Sequence, residues 1–160
     1  MEIHVDSLDF TELTIVDMNG EAKTFNIHDE LKLSEYTIQQ EMYTQSSKYA
    51  FWSSLLERVR AYAEAESRKL EQIGASVNKQ VRQGYTQQKI KPTKDVIESD
   101  ILLNESYQKQ QQIVEQWNYK VKQLQYIVKA WEQRSTMLVQ LSAELRQTNK
   151  NGGMTNPFSH

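Results

Sequence analysis

The sequence predicts a mainly α-helical protein: a long antiparallel two-helix hairpin, similar to a coiled coil, that self-associates. Apolar side chains recur at steps of three and four residues over two long segments. Glycine and proline are scarce, at five and two of 160 residues, so little interrupts helix. Only 38% of the residues are hydrophobic, which is low for a compact globule but ordinary for two-faced helices. We therefore divide the chain into an N-terminal β segment (1–33), the helical hairpin (34–148) and a disordered polar tail (149–160).

The N-terminal segment predicts a small β-hairpin. Segments 13–18 and 21–27 flank Asn19-Gly20, a pair that tolerates the positive φ angles of a two-residue type I′ turn. A third strand can contain Ile3, Val5 and Leu8. Because an isolated hairpin is marginally stable in water, we expect it to pack on the helices or on a neighbouring subunit.

The first long helix is predicted to begin at the N-cap Ser34 and to end at Gly84, just after a basic last turn with Lys79 and Arg82. One polar residue, Glu66, interrupts its apolar seam. We assign to this seam the residues Trp52, Leu56, Val59, Leu70, Ile73 and Val77.

Residues 84–104 predict a connection that contains one short helix. Pro92 lies outside helix, and Thr93 caps the short helix. The apolar residues of this helix are Val96, Ile97, Ile101 and either Leu102 or Leu103.

The second long helix is predicted to begin after Asn104 or Ser106 and to run to about Thr148. A second apolar stripe, with Ile113 or Val114, Ile127 and Met137, lies beside its seam. This stripe predicts two packing partners, the first long helix and another subunit. We assign to the main seam the residues Trp117, Val121, Leu124, Val128, Trp131 and Leu138.

Charge is segregated along the chain, although the net charge is only -2. Residues 1–35 carry nine acids and two bases, and residues 95–115 carry five acids and one base. Residues 116–150 carry six bases and two acids. Such segregation can guide assembly or create a basic surface on a nearly neutral protein. The intervening residues 72–94 hold no acid and five bases, namely Lys79, Arg82, Lys89, Lys91 and Lys94.

These five bases surround Tyr85, and we call the six residues the basic junction. Cations bind phosphates and aromatic rings stack on unpaired bases, so the junction predicts a site for single-stranded nucleic acid. The alternative is a solvated loop after a basic helix end. A ring of subunits would favour the first interpretation, because it would join weak cations into a continuous track. Further candidate cations, or residues of a solvated outer face, are Lys120, Lys122, Lys129 and Arg134.

We find no catalytic, metal-binding or cofactor-binding pattern. His4, His28 and His160 are isolated, and no phosphate-binding glycine loop or nucleophile motif is present. The absence of cysteine excludes disulfides and thiolate chemistry. The sequence also lacks a long apolar run and a basic signal-like N-terminus. We therefore expect a non-enzymatic protein of the cytoplasm.

Three segments, in order, resemble the phage recombination mediators of the UvsY type. YAFWSSLL (49–56) opens a long charged helix, KPTKDVIESD (91–100) forms a short capped helix, and VKAWEQRSTMLVQLSAEL (128–145) ends the last helix. The resemblance covers roughly residues 36–148. It implies a ring-like homo-oligomer that binds single-stranded DNA, contacts a RecA-like recombinase and helps displace a single-strand-binding protein. The family's basic pair lies late in the first long helix, where Lys79 and Arg82 are the nearest match, although their spacing differs. The N-terminal β segment is a second departure.

Two functions are thus expected as alternatives. The first is a recombination mediator, and the second is a phage structural, assembly or scaffold protein that binds no DNA. In the second, the basic junction pairs with the acidic N-terminal segment of a neighbour. A membrane-surface protein fits less well, because the helices lack a one-sided pattern of basic and bulky apolar residues.

Overall fold

The computed structural model describes residues 2–6, 12–17 and 19–152. It confirms a mainly helical chain in which two long helices pack together, with a small N-terminal antiparallel sheet. The strands are β1 (Glu2–Asp6), β2 (Glu12–Val16) and β3 (Ala22–Asn26). The helices are α1 (Ile27–Leu31), α2 (Ile38–Gln87), α3 (Lys94–Leu102) and α4 (Glu105–Gly152), with a 3₁₀ turn at Glu35–Thr37. None of these helices is long and apolar enough to cross a membrane.

The chain forms two compact units. The first unit contains the described parts of residues 1–53 and 125–160, and the second contains residues 54–124. The helices α2 and α4 each contribute to both units. Within each unit, residues later in α2 contact residues earlier in α4, so the two helices are antiparallel there.

The sheet has the order β1-β2-β3, with both strand pairs antiparallel. Leu13 of β2 pairs with Phe25 of β3, and both side chains are buried. Strand β1 supplies the predicted third strand with Ile3 and Val5, whereas Leu8 lies outside the described residues. The sheet packs on α2, because the Phe25 ring lies 5.1 Å from the Trp52 ring, centroid to centroid.

The turn between β2 and β3 differs from the predicted two-residue turn. The Asp17 N–H donates to the Glu21 carbonyl at 2.9 Å, so the loop between these two paired residues is three residues long rather than two. Gly20 has φ +84°, and its N–H donates to the Asp17 carbonyl. The Asp17 carboxylate accepts hydrogen bonds from the amides of Asn19 and Glu21. This carboxylate stabilises a turn with one left-handed glycine, the usual form of a three-residue hairpin loop.

Arg134 lies in the interior of the first unit, which corrects its assignment as an outer cation. Its side chain is 3% exposed and forms an ion pair with Glu41. It also donates to the Gln45 side chain at 2.7 Å and to the carbonyls of Leu31 and Lys32 at 3.1 Å. A buried guanidinium is tolerated only when such partners replace its hydration. Arg134 therefore joins α4, α2 and the segment after α1.

The predicted seam is buried to different degrees along the helix pair. Glu66, the polar interruption, faces Gln110 of α4, whose Nε2 donates to the Glu66 carboxylate at 2.7 Å. The rings of Tyr62 and Trp117 are stacked, with centroids 5.4 Å apart. The buried seam residues are Trp52, Leu56, Val59, Val77, Leu124, Trp131 and Leu138. The half-buried ones are Leu70, Ile73, Trp117, Val121 and Val128.

The Glu66 carboxylate makes the stability of the second unit depend on pH. Hydrogen bonds from Lys69 and then from Gln110 hold the pKa of Glu66 below its ordinary value of 4.5. A group with a lowered pKa stabilises the fold above its unfolded-state pKa, and this contribution is lost as pH falls through the folded-state pKa. We expect the free energy of unfolding of Glu66→Gln to fall less than that of the wild type as the pH is lowered from neutral to below about 4.5. Urea unfolding at several pH values, with the exposed Glu64→Gln as control, tests this. Identical pH profiles for wild type and both variants would contradict it.

The predicted helix starts agree with the structure. Ser34 caps the 3₁₀ turn that leads into α2, and Thr93 caps α3. Asn104 rather than Ser106 caps α4, because its side chain accepts from the amides of Ser106 and Tyr107. These three caps depend on local hydrogen bonds from the side chain to the next turn.

The predicted helix ends were too early. Gly84 lies inside α2, which continues to Gln87, and Lys89 adopts the left-handed conformation with φ 55°. The Lys89 and Ile90 amides donate to the carbonyls of Thr86 and Tyr85, which is a Schellman end. Helix α4 continues to Gly152 rather than Thr148. The predicted disorder is therefore wrong for 149–152, and residues 153–160 lie outside the described part.

Replacing Gly84 by alanine is expected to stabilise the protein by about 0.5–1 kcal/mol, because alanine favours helix. A Cβ at Gly84 would meet no atom within 4 Å. Gly20→Ala is the matched control and should lower stability instead, because φ +84° strains any side chain there. Thermal unfolding followed by circular dichroism measures both changes. A destabilised Gly84→Ala variant would contradict the placement of Gly84 inside the helix.

Candidate nucleic-acid interface

The basic junction occupies the last turns of α2, the connection and the start of α3, all in the second unit. Lys79 and Arg82 are exposed on α2, one turn apart. The left-handed Lys89 ends the helix and turns the chain, so that Lys89 and Lys91 lie exposed just beyond it. Lys94 is exposed on the first turn of α3. The backbone thus gathers five cations around one helix end.

Lys79 and Arg82 flank a shallow depression on the last turns of α2. The Arg82 Nε donates to the Asn78 Oδ1 at 2.7 Å, which orients the guanidinium along the helix. No acidic residue lines the depression. Amides, hydroxyls and two cations are the groups that bind phosphate and sugar oxygens. The lining residues are Ala75, Asn78, Lys79, Arg82, Gln83, Thr86 and Gln87.

Tyr85 connects α2 to α3. Its hydroxyl donates to the Asp100 carboxylate at 2.9 Å, and its side chain is half-buried. This hydrogen bond raises the pKa of Tyr85 above its ordinary value of 10.0, because the carboxylate accepts a hydrogen bond from the protonated phenol and so stabilises that form. Tyr85 is therefore a positioning residue for α3, and Asp100 brings a negative charge to the junction.

Four of the five junction cations have no carboxylate partner among the described residues. Lys94 forms an exposed ion pair with Glu98 at 3.4 Å. Lys79, Arg82, Lys89 and Lys91 form no such pair, and we call these four the free cations. Exposed, unpaired cations neutralise a polyanion without first losing another partner.

The further cations of α4 do not form a single cluster. Lys120 lies over the Trp117 ring at 4.5 Å, and Arg134 is enclosed in the first unit. Lys122 and Lys129 are exposed, seven residues apart. These two extend along α4 and are not part of the junction.

Three exposed apolar side chains, in the connection and at the end of α3, were not predicted from the sequence. Ile90 is 52% exposed, Leu102 is 55% exposed and Leu103 is 73% exposed. Ile97 is buried in α3, whereas Val96, Leu102 and Leu103 are exposed. Their exposure could have been predicted from their positions next to helix ends, where the apolar steps of three and four residues do not continue. Of the three, Ile90 lies between Lys89 and Lys91, and an apolar side chain next to cations can contact the faces of unpaired bases.

The described residues contain no group of three or more histidine, cysteine or acidic side chains that could hold a metal ion. His28 is exposed on α1, while the side chains of His4 and His160 lie outside the described set.

No protein-family model, characterised protein or solved structure matches this chain.

Proposed function

We propose that this protein is a recombination mediator that binds single-stranded DNA as a homo-oligomer and promotes loading of a RecA-like recombinase. The observation that carries the proposal is the set of four free cations around the end of α2. The resemblance to UvsY-type mediators supplies the other parts of the proposal. These are the recombinase, the displaced single-strand-binding protein, the ring-like assembly and the cytoplasmic location, which is that of a host cell if a phage encodes the protein.

Binding of this kind depends on phosphates. Each free cation that neutralises a phosphate releases a counterion, so affinity falls as salt rises. The exposed Ile90, between Lys89 and Lys91, offers apolar contact to bases without selecting a sequence. Repetition of the junction over several subunits would raise the affinity of a long strand through multivalency. No covalent bond is made or broken, and the mediator acts by occupying and organising DNA on which the recombinase nucleates.

Light-scattering mass measured with and without oligo-dT tests the proposal directly. We expect a species larger than one chain, and a further increase in mass on addition of oligo-dT at low salt that disappears at high salt. A monomer, or an oligomer whose mass does not change with oligo-dT at any salt, would refute the proposed function.

The alternative, an assembly protein without DNA binding, is favoured by one observation. The first unit exposes Glu12, Glu21 and Asp29, which could pair with the free cations of another copy. Deleting residues 1–34 would also remove two carbonyls that bind Arg134, so substitutions are the better test. Glu12→Gln/Glu21→Gln/Asp29→Asn should dissociate the oligomer if the alternative holds. If the mediator function holds, this variant should stay assembled and bind oligo-dT more tightly.

A further inference from the structure

Positions 36–51, at the end of the 3₁₀ turn and in the first turns of α2, hold only two charged residues, in a chain where 25% of residues are charged. The two charged residues of this stretch are only partly exposed and make internal contacts. Glu41 pairs with Arg134, and Lys48 pairs with Glu30 at 3.1 Å. The uncharged face consists of the exposed residues between positions 36 and 51, which are Tyr36, Thr37, Gln39, Gln40, Met42, Tyr43, Ser46, Ser47, Ala50 and Phe51.

The uncharged face includes large apolar groups that the first unit leaves in water. Tyr36 is 99% exposed and Tyr43 is 85% exposed, and Met42 is 44% exposed. Tyr43 and Ala50 lie on the side of α2 opposite Gln45, which contacts α4 through the Trp131 carbonyl at 2.7 Å. Tyrosine and methionine are enriched in protein interfaces, and charges are depleted at their centres. The composition of the face is therefore that of an interface.

We propose that a second copy of this chain docks on the uncharged face through the same residues, with the two α2 helices antiparallel about a two-fold axis at Tyr43. A two-fold axis at this position places residue 43 next to its own symmetry mate, so a charge at position 43 would repel itself. The uncharged face avoids this repulsion completely. The contact specifies the self-association in the proposed function and rests on that part of it, but not on DNA binding.

The sizes of the side chains are also self-complementary. With the axis at Tyr43, Tyr36 of one copy faces Ala50 of the other, so a large side chain meets a small one. Gln40 faces Ser46 and Gln39 faces Ser47, and each of these amide–hydroxyl pairs can form a neutral hydrogen bond. A nucleic acid would instead require cations, which the face lacks.

The strength expected of this contact follows from its size. Ten residues a side are fewer than the roughly 20–30 of a standard stable interface. We therefore expect a concentration-dependent dimer with a Kd on the order of micromolar, and a larger ring would need a second contact.

A cysteine at the axis tests the geometry, because the chain contains no cysteine of its own. Tyr43→Cys would place two thiols across the axis, and a disulfide forms when the Cα atoms are about 4.4–6.8 Å apart. We expect rapid disulfide-linked dimers on mild oxidation. The control is Gln133→Cys, exposed on α4 in the same unit. Cross-linking of Tyr43→Cys that is no faster than that of the control would overturn the proposal.

A charge at the axis gives a second, independent measurement. Tyr43→Lys should weaken dimerisation at least about tenfold in sedimentation experiments, and mixing it with Tyr43→Glu should restore a heterodimer. Gln133→Lys is the control and should keep the wild-type mass. Loss of oligo-dT binding by Tyr43→Glu with no change in mass would assign the face to DNA and overturn the proposal. Failure of the proposed DNA site is distinguishable, because substitution of the free cations leaves the uncharged face intact.

Discussion

Replacing Arg134 by leucine is expected to lower the free energy of unfolding by about 3–5 kcal/mol, the range for breaking one side of a buried ion pair. The side chain of Arg134 is 3% exposed, and that of its partner Glu41 is 25% exposed. The substitution leaves the Glu41 carboxylate without its cation and the Gln45 carbonyl oxygen without a donor. It also removes the contact of the guanidinium with the Trp131 ring, 4.9 Å from the ring centroid. A long apolar side chain replaces the volume but none of these interactions.

Urea unfolding of wild type and variant measures the loss. Arg146→Leu is the matched control, because Arg146 is exposed and bonds only within its own helix turn, to Ser142. The control should change stability by less than about 0.5 kcal/mol. Arg134→Lys should lie in between, because lysine retains the charge but not the planar set of donors. An Arg134→Leu variant as stable as wild type would show that the guanidinium is not held as described.

The second large effect is expected on DNA binding when all four free cations are removed. The variant is Lys79→Gln/Arg82→Gln/Lys89→Asn/Lys91→Gln, with asparagine at 89 because it tolerates the left-handed conformation. Each phosphate contact on a single strand contributes about 0.7 to the slope of log affinity against log salt, so four contacts contribute about 2.8. Between about 50 and 200 mM salt, the wild type should therefore lose about 50-fold more affinity for oligo-dT than the variant.

The control for this variant removes the same number of charges elsewhere. The variant Arg58→Gln/Arg68→Gln/Lys122→Gln/Lys129→Gln changes only exposed cations outside the basic junction. Fluorescence anisotropy of labelled oligo-dT measures both slopes, and circular dichroism checks that both variants fold. Equal slopes for the two variants would mean that general charge, and not the junction, attracts the DNA. A wild-type slope in the junction variant would show that the free cations do not contact the DNA, whereas no oligo-dT binding by the wild type would favour the assembly function.

Local features of this chain were predictable because their causes are local. Ser34, Thr93 and Asn104 cap helices through bonds that span two or three residues, and such bonds are encoded by residue type and position alone. The apolar steps of three and four residues likewise placed Trp52, Leu124 and other core residues in the seam before any partner helix was known.

Helix ends were less predictable because competing signals are close in energy. Gly84 is a good helix end by residue type, yet continuing the helix over it costs only about 1 kcal/mol. The bonds that end α2 at Lys89 and Ile90 outweigh that preference. The turn at Gly20 shows the same limit, because the Asp17 carboxylate stabilises a three-residue loop where Asn-Gly alone favours a two-residue one.

The sequence by itself determined the helical class, the caps, the seam and the clustering of cations between the long helices, since each depends on periodicity or near neighbours. Only the tertiary structure decided which charges face water. By its sequence Arg134 is one more cation of α4, but partners 89 to 103 residues away enclose it. Glu41 and Lys48 pair with Arg134 and Glu30, and the exposed residues around Tyr43 are uncharged. Such pairings join segments distant in the chain, and no local pattern specifies them.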